Sequence, residues 1–165
     1  MESADRVTLV PITERNIWRV VKLSVPEEQK DFVATNTESL LEAYLALANE
    51  DVALPFAICA GETPVGFLMF GYGKTGDPDE PDVAEGNYCL WRFMIDGAYQ
   101  RRGYGRAALY EALNYLATFP RGNATSCWLS YEPENARAKA LYASFGFVEN
   151  GQVCGDEIVA VRPLP

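Results

Sequence analysis

Two apolar, β-rich runs, Pro55 to Ala60 and Val65 to Tyr72, are separated only by Gly61-Glu62-Thr63-Pro64. Glycine and proline in so short a connection read as the turn of a β-hairpin. An antiparallel pair with this much apolar surface has to be widened by further strands and covered by helices, and the flanking sequence supplies both. Val7 to Val10 reads as a first strand, and Thr13 can cap a short helix with Ile17, Val20 and Val21 on one face, broken at Pro26. Thr35 and Glu38 have the capping-box spacing, and Leu40, Leu41, Tyr44, Leu45 and Ala48 follow as a helical apolar stripe. Beyond the hairpin, Tyr88 to Ile95 is a strand. Gly103 to Phe119 is a helix with Leu109, Ala112, Leu113 and Leu116 on one face, ended by Pro120. Thr125 to Tyr131 returns as a strand, Glu134 to Phe145 is the last helix, stopped by Gly146, and Ile158 to Val161 can close the sheet. The order β, helices, hairpin, β, α, β, α, β predicts an α/β (α+β) fold. It is expected to be a single domain over residues 1–165, a mixed and mostly antiparallel sheet flanked by helices.

The absence of histidine removes a large part of enzymology. A Ser-His-Asp or Cys-His nucleophile, an H-E-x-x-H zinc site and an imidazole base are all excluded, and no metal is expected. The 165 residues suffice to bury roughly 70% of the unfolded surface without a disulfide staple. Cys59, Cys89, Cys127 and Cys154 lie far apart without a C-x-x-C pair and read as reduced, structural thiols. No apolar run approaches the roughly 20 residues of a membrane span. Met1-Glu2-Ser3-Ala4-Asp5-Arg6 lacks the basic opening and apolar stretch of a signal peptide, so the expected compartment is the cytoplasm, with no membrane partner. With 14 basic against 23 acidic side chains, the net charge of -9 argues against nucleic acid as a partner. The charge is uneven, however: residues 77–85 hold five acids and no base, whereas residues 100–106 hold three arginines.

Those arginines belong to Gln100-Arg101-Arg102-Gly103-Tyr104-Gly105-Arg106-Ala107, a glycine-rich turn at a helix start. Unpaired N–H groups of a first helical turn attract phosphate, and glycines without Cβ let the backbone come close. The plainer alternative is a tight loop with solvated arginines. A dinucleotide fingerprint also matches Gly103-x-Gly105-x-x-Ala108, but Asp96 to Arg102 intervene between strand and glycine. Only 34 residues (165 minus 131) follow Tyr131, too few for the further units of a doubly wound sheet. A second constellation runs from Asn135 to Phe147 and places Ala138, Leu141, Tyr142 and Phe145 on one helical face. On periodicity alone, Asn135 is an N-cap and Tyr142 a core aromatic.

Taken jointly, Gln100-x-x-Gly103-x-Gly105 after a strand, with Asn135, Ala138, Leu141-Tyr142 and Gly146-Phe147 downstream, resemble the GNAT superfamily of acetyl-CoA-dependent N-acetyltransferases. The element order from residue 7 to 161 fits that resemblance over almost the whole chain. Val25-Pro26-Glu27-Glu28-Gln29-x-x-Phe32-Val33-Ala34-x-Asn36, Trp91-Arg92-Phe93-Met94-Ile95-Asp96 and Ser130-Tyr131-Glu132-Pro133-Glu134-Asn135 are similar to bacterial spermine/spermidine (diamine) N-acetyltransferases.

The resemblance implies a sheet splayed between the strands at 88–95 and 125–131. Acetyl-CoA would be the cosubstrate, its pantetheine arm bound by the backbone of Phe93, Met94 and Ile95. Gln100, Arg101, Arg102, Gly103, Tyr104, Gly105 and Arg106 would hold the pyrophosphate. Asn135 would contact the pantetheine or fix the helix start, Tyr142 would reach the thioester sulfur, and Lys139 is a further cofactor candidate or a solvated side chain. The acceptor would be a small-molecule amine, with a polyamine first and a peptide, amino acid or drug amine as alternatives. A non-catalytic acyl-CoA-binding module is a third reading, and a homodimer is the expected assembly.

The chemistry is consistent with these residue types. Tyrosine is protonated at pH 7 and can serve a departing thiolate as general acid. An alkylamine with a pKa of about 10.4 is neutral only on the order of once in a thousand at pH 7, so a carboxylate or water must take its proton. Glu27, Glu28, Glu85 and Glu132 are the candidates. In some diamine acetyltransferases an acid stands where this chain has Trp91-Arg92. Trp91 could hold an alkylammonium by cation–π contact, whereas Arg92 would repel one unless paired with an acid such as Glu28, or would instead bind an acceptor's carboxylate.

Overall fold

The computed structural model describes residues 6–165; the stretch Met1 to Asp5, part of the opening discussed above, lies outside the described residues. The hairpin is present and longer than its apolar runs, with β2 over Val52–Ala60 and β3 over Thr63–Tyr72. Ala60 pairs with Thr63, so Gly61 and Glu62 alone make the turn, and Gly61 takes a positive φ of 58°. Thr63 and Pro64 belong to the strand rather than to the turn. Pro64 is tolerated in a central strand because it sits at a bulge beside Ile58 and Cys59, where the ladder is already irregular.

Around this hairpin the chain builds a seven-stranded sheet in the order β1-β2-β3-β4-β5-β7-β6. The remaining strands are β1 (Val7–Pro11), β4 (Tyr88–Ile95), β5 (Ser126–Tyr131), β6 (Val148–Cys154) and β7 (Glu157–Pro163). Every neighbouring pair is antiparallel except β4 and β5, which run parallel. The sheet is therefore mixed and mostly antiparallel, as the element order implies. β6 has no counterpart in the sequence reading: Val-Glu-Asn-Gly-Gln-Val-Cys is polar and largely exposed, and only pairing with β7 makes it a strand.

Among the described residues, four α-helices cover the two faces. On one side, α3 (Tyr104–Leu116) buries Ala108, Leu109, Ala112, Leu113 and Leu116, the face its periodicity predicts, and α4 (Ala136–Ser144) packs Ala138, Leu141 and Tyr142 beside it. On the other side lie α1 (Ile17–Val20) and α2 (Asn36–Ala48). Thr35 caps α2 as expected, its Oγ1 accepting from the Glu38 N–H at 3.1 Å. Most of the apolar stripe on α2 does not face the core: Leu41, Tyr44 and Leu45 are 61%, 70% and 58% exposed, while Leu40 packs partly against it. Asn36 decides this by donating from Nδ2 to the Val20 carbonyl at 2.9 Å, which turns the small Ala43 and Ser39 inward and lets the helix lie close on the sheet.

β4 and β5 pair only at Tyr88 with Cys127 and Cys89 with Trp128, then diverge. A bulge at Trp91, where Met69 faces Arg92 but Phe70 faces Leu90, bends β4 away at the point of divergence. Gly66 of β3 lies opposite Ile95, and a Cβ there would stand 2.3 Å from the Met94 carbonyl oxygen; glycine is what allows β4 to hold this course.

Candidate active site

The divergence opens a cleft of about 1210 Å³ through the sheet. Its β4 wall is Trp91, Arg92, Phe93, Met94 and Ile95, and no residue of β5 pairs with this part of the strand. Backbone groups on that edge are left for a ligand to complete, in the manner of an added strand.

One end of the cleft is the start of α3. A 3-10 turn over Gly97–Tyr99, capped by Asp96 through the Ala98 N–H at 2.9 Å, leads into Gln100 and the arginine loop. Arg101 takes a φ of 65° and Gly103 one of 84°, and Gly103 is the N-cap of α3 with no side chain closing the first turn. The helix therefore presents uncapped N–H groups beside Arg101, Tyr104, Gly105 and Arg106, all of which line the cleft. A Cβ at Gly103 would meet nothing within 4 Å, so the positive φ, and not crowding, is what calls for glycine there. Gln100 also lines the cleft, but its carboxamide is already engaged. It exchanges hydrogen bonds with Gln29 at 2.9 and 3.0 Å and donates to the Ile95 carbonyl at 2.9 Å, locking the loop to β4. Arg106 donates to Ser144 Oγ at 3.0 Å, joining the start of α3 to the end of α4. Arg102 lies off the cleft, its guanidinium 5.7 Å over the Tyr99 ring.

α4 supplies the middle of the cleft. Asn135 is its N-cap, Oδ1 accepting from the Ala138 N–H at 3.3 Å, and it lines the cleft as well. Tyr142 projects between the strands: its ring stacks on Tyr131 at 6.2 Å and meets Phe93 at 6.3 Å and Phe147 at 5.9 Å edge-on. Burial, with smaller contributions from Cys127, Glu157 and Cys89, raises its hydroxyl well above the ordinary phenol range, so Tyr142 carries its proton at neutral pH. Lys139 turns away to Glu149 at 3.2 Å, whereas Arg137, which the motif did not single out, lines the cleft.

The opposite face of the sheet carries the acids. Glu28 and Glu132 line the cleft; Glu27 does not, being exposed and paired with Lys30 at 2.6 Å. Glu85 is exposed beyond the short 3-10 turn Asp82–Ala84 and is not among the lining residues. Arg92 is paired with Glu42 and not with Glu28: its Nη2 alone donates to both carboxylate oxygens, Oε2 at 2.9 Å and Oε1 at 3.2 Å. Its guanidinium also lies 5.7 Å over the Trp91 ring. With its charge already matched, Arg92 neither repels an ammonium strongly nor offers a free fork to a carboxylate. Ser130 and Glu157 also line the cleft and were missed, because Glu157 lies far along the chain, outside both motifs, and only the β5–β7 pairing brings it here. Burial first, and Glu132 after it, raise the Glu157 carboxyl above its ordinary value, while Ser130 and Arg92 oppose the shift.

The architecture agrees with comparisons to known proteins. The model of the acetyltransferase (GNAT) family matches residues 18–147. The chain belongs to that family. It is 28% identical over 159 residues to the spermine/spermidine N(1)-acetyltransferase of Bacillus subtilis (strain 168), covering 96% of this chain and 99% of the relative. It is 37% identical over 94 residues to the [ribosomal protein bS18]-alanine N-acetyltransferase of Escherichia coli (strain K12), covering 57% of this chain and 62% of that one. Among solved structures, aminoglycoside acetyltransferase AAC(6')-Ib in complex with coenzyme A and kanamycin superposes with a TM-score of 0.75 at 21% identity, covering 95% and 94% of the two chains. The GNAT fold thus spans the chain almost from end to end, and its activity class is N-acetyl transfer.

Proposed function

We propose that this GNAT protein transfers the acetyl group of acetyl-CoA to a primary amine of a small acceptor, a polyamine such as spermidine or spermine first among them. The observation that carries the reading is the opening between β4 and β5. An uncapped, arginine-flanked helix start stands at one end, a protonated tyrosine in the middle, and carboxylates on the far face.

The residues present fit acetyl-CoA. Arg101, Gly103, Gly105 and Arg106 suit a pyrophosphate, since the first-turn N–H groups and the helix dipole favour an anion there. The unpaired edge of Phe93, Met94 and Ile95 suits the amide-bearing pantetheine arm. Asn135 fixes the start of α4 and thereby aims Tyr142, whose hydroxyl donates a proton toward the departing sulfur. The same edge near Met94 can offer a backbone N–H to the negative charge that grows on the carbonyl oxygen during attack.

Charge on the acceptor side supports a polyamine. The acidic loop 77–85 packs over the β6–β7 hairpin, with the Val83 N–H donating to Gln152 Oε1 at 3.2 Å and Asp79 Oδ2 3.9 Å from where a Cβ on Gly155 would stand. Glu157 begins the second strand of that hairpin, and Asp77, Asp79, Glu80 and Glu157 all act on the Cys154 thiol, which sets a rim of negative charge beside the cleft. A rim of this kind raises the encounter rate of a polycation and loses its advantage as salt screens it. Thiol release from acetyl-CoA, measured over a panel of amines, tests the reading. Spermine and spermidine should exceed a monoamine and an amino acid, and their lead should shrink several-fold between low and high salt. An amino acid that outcompetes both polyamines, or a lead indifferent to salt, refutes the assignment.

A further inference from the structure

We propose that Glu157 is the base that takes the proton from the acceptor ammonium, an assignment that rests on the acetyl-transfer reading above. β7 begins at Glu157, directly after the turn at Gly155 and Asp156. Its register against β5 sets Ile158 opposite Tyr131 and Val159 opposite Ser130, so the next step along the ladder brings Glu157 beside Glu132. Ser130 Oγ donates to Glu157 Oε1 at 3.2 Å, while Oε2 has no hydrogen bond among the described residues. One oxygen is thus anchored and the other remains free to accept a proton.

The pleat of β5 gives this placement its meaning. Cys127, Leu129 and Tyr131 belong to the core under α3 and α4, where Tyr131 stacks on Tyr142. Trp128 packs with Val159 on the opposite face, and Ser130 and Glu132 alternate onto that same face. Tyr142 and Glu157 therefore approach the opening from opposite sides of the sheet. Acyl transfer needs this polarity, because the amine loses a proton on one side of the carbonyl while the sulfur gains one on the other.

The other acids are less suited. Glu27 does not line the cleft and is paired with Lys30, and Glu42 is committed to Arg92. Glu85 is exposed outside the cleft; Glu28, Asp31, Glu38 and Glu134 line it but are exposed, and Glu132, half-buried there, has no side-chain hydrogen bond among the described residues to fix its carboxylate as Ser130 fixes Glu157. Glu157 is half-buried, and the groups around it are Ser130 and Glu132 on β5, Arg92 on β4 and Cys154 on β6, with Tyr142 and Cys89 within electrostatic reach. Burial and Glu132 raise its proton affinity above that of an ordinary glutamate, which moves it toward the range a base for an ammonium needs.

The step balances. The ammonium R–NH3+ gives one proton to Glu157 and becomes R–NH2. Its lone pair forms the C–N bond, the C–S bond breaks with its electron pair going to sulfur, and Tyr142 gives that sulfur a proton. The surplus proton on the new amide nitrogen restores Tyr142 through solvent, and Glu157 releases its own to water. The net reaction is R–NH3+ plus acetyl-CoA giving R–NH–acetyl, CoA thiol and one H+.

The test compares Glu157→Gln with the wild-type full chain. With spermidine at pH 7, kcat/KM should fall about 100-fold or more, and the deficit should narrow as rising pH deprotonates the amine without help. A weakly basic fluorinated alkylamine, already neutral at pH 7, should lose less than about threefold. Calorimetry should show unchanged CoA affinity. In the free protein, carbon-detected titration should place the Glu157 carboxyl above an ordinary glutamate, and Ser130→Ala should move it higher still. Equal losses for both amines, a wild-type pH profile in Glu157→Gln, or a larger loss in Glu132→Gln than in Glu157→Gln overturns the proposal. If the wild-type protein acetylates no amine at all, the underlying reading fails; if it does and Glu157→Gln behaves like it, only the assignment of the base fails.

Discussion

Tyr142→Phe separates a catalytic tyrosine from a structural one, because its ring and its hydroxyl do different things. The ring contacts, to Tyr131, Phe93 and Phe147 at 5.9 to 6.3 Å, are kept in full by phenylalanine. The hydroxyl makes no hydrogen bond among the described residues and is not a buried unsatisfied group, so its removal forfeits no internal partner. The stability change should stay within about 0.5 kcal/mol, a melting shift under about 2 °C for a chain of this size. Turnover should fall about 100-fold, which is about 2.7 kcal/mol of barrier and the scale of a lost general acid. Thiol release under saturating acetyl-CoA gives kcat, circular dichroism gives the melting temperature, and calorimetry gives a CoA affinity that should not change. A normal rate per folded molecule refutes the role. A melting point lowered by 4 °C or more (roughly 1–2 kcal/mol) with an otherwise normal rate would make Tyr142 a packing residue.

Two glycines give further predictions. Gly103→Val forces a β-branched side chain into a φ of 84° at the N-cap of α3, a strain of about 1–2 kcal/mol, so CoA affinity by calorimetry should drop at least tenfold; unchanged affinity in a folded variant moves the pyrophosphate site elsewhere. Gly66→Ala puts a Cβ 2.3 Å from the Met94 carbonyl oxygen, a backbone atom that cannot swing aside, so thermal melting should reveal a loss of about 1–3 kcal/mol and CoA binding should weaken with it; an unaltered melting temperature refutes that account of the β4 path.

The hairpin, the helices α3 and α4 and both motif loops are legible in the sequence because they rest on local physics. Glycine and proline mark turns, a 3.6-residue apolar period marks α3, and Thr35 and Asn135 cap the helices they precede. The helix-start arginines and Tyr142 are recognisable as a pair only through the resemblance to GNAT acetyltransferases, since periodicity alone reads Tyr142 as a core aromatic. What the chain's order could not reveal is which way an element faces and what lies across from it. The stripe on α2 is as apolar as that on α3, yet most of it points to solvent because Asn36 hydrogen-bonds Val20 sixteen residues earlier and turns the helix. β6 is a strand only because β7 is there to pair with it. Arg92 takes Glu42 from a distant helix as its partner, and Gln100 spends its amide on Gln29. Glu157 reaches the cleft through a β5–β7 register that no local signal encodes. Side-chain periodicity and capping are properties of neighbours in sequence, and the sequence alone determines them. Charge pairing, burial and the proton affinity of a carboxylate depend on groups brought together through space, so the tertiary structure alone decided them.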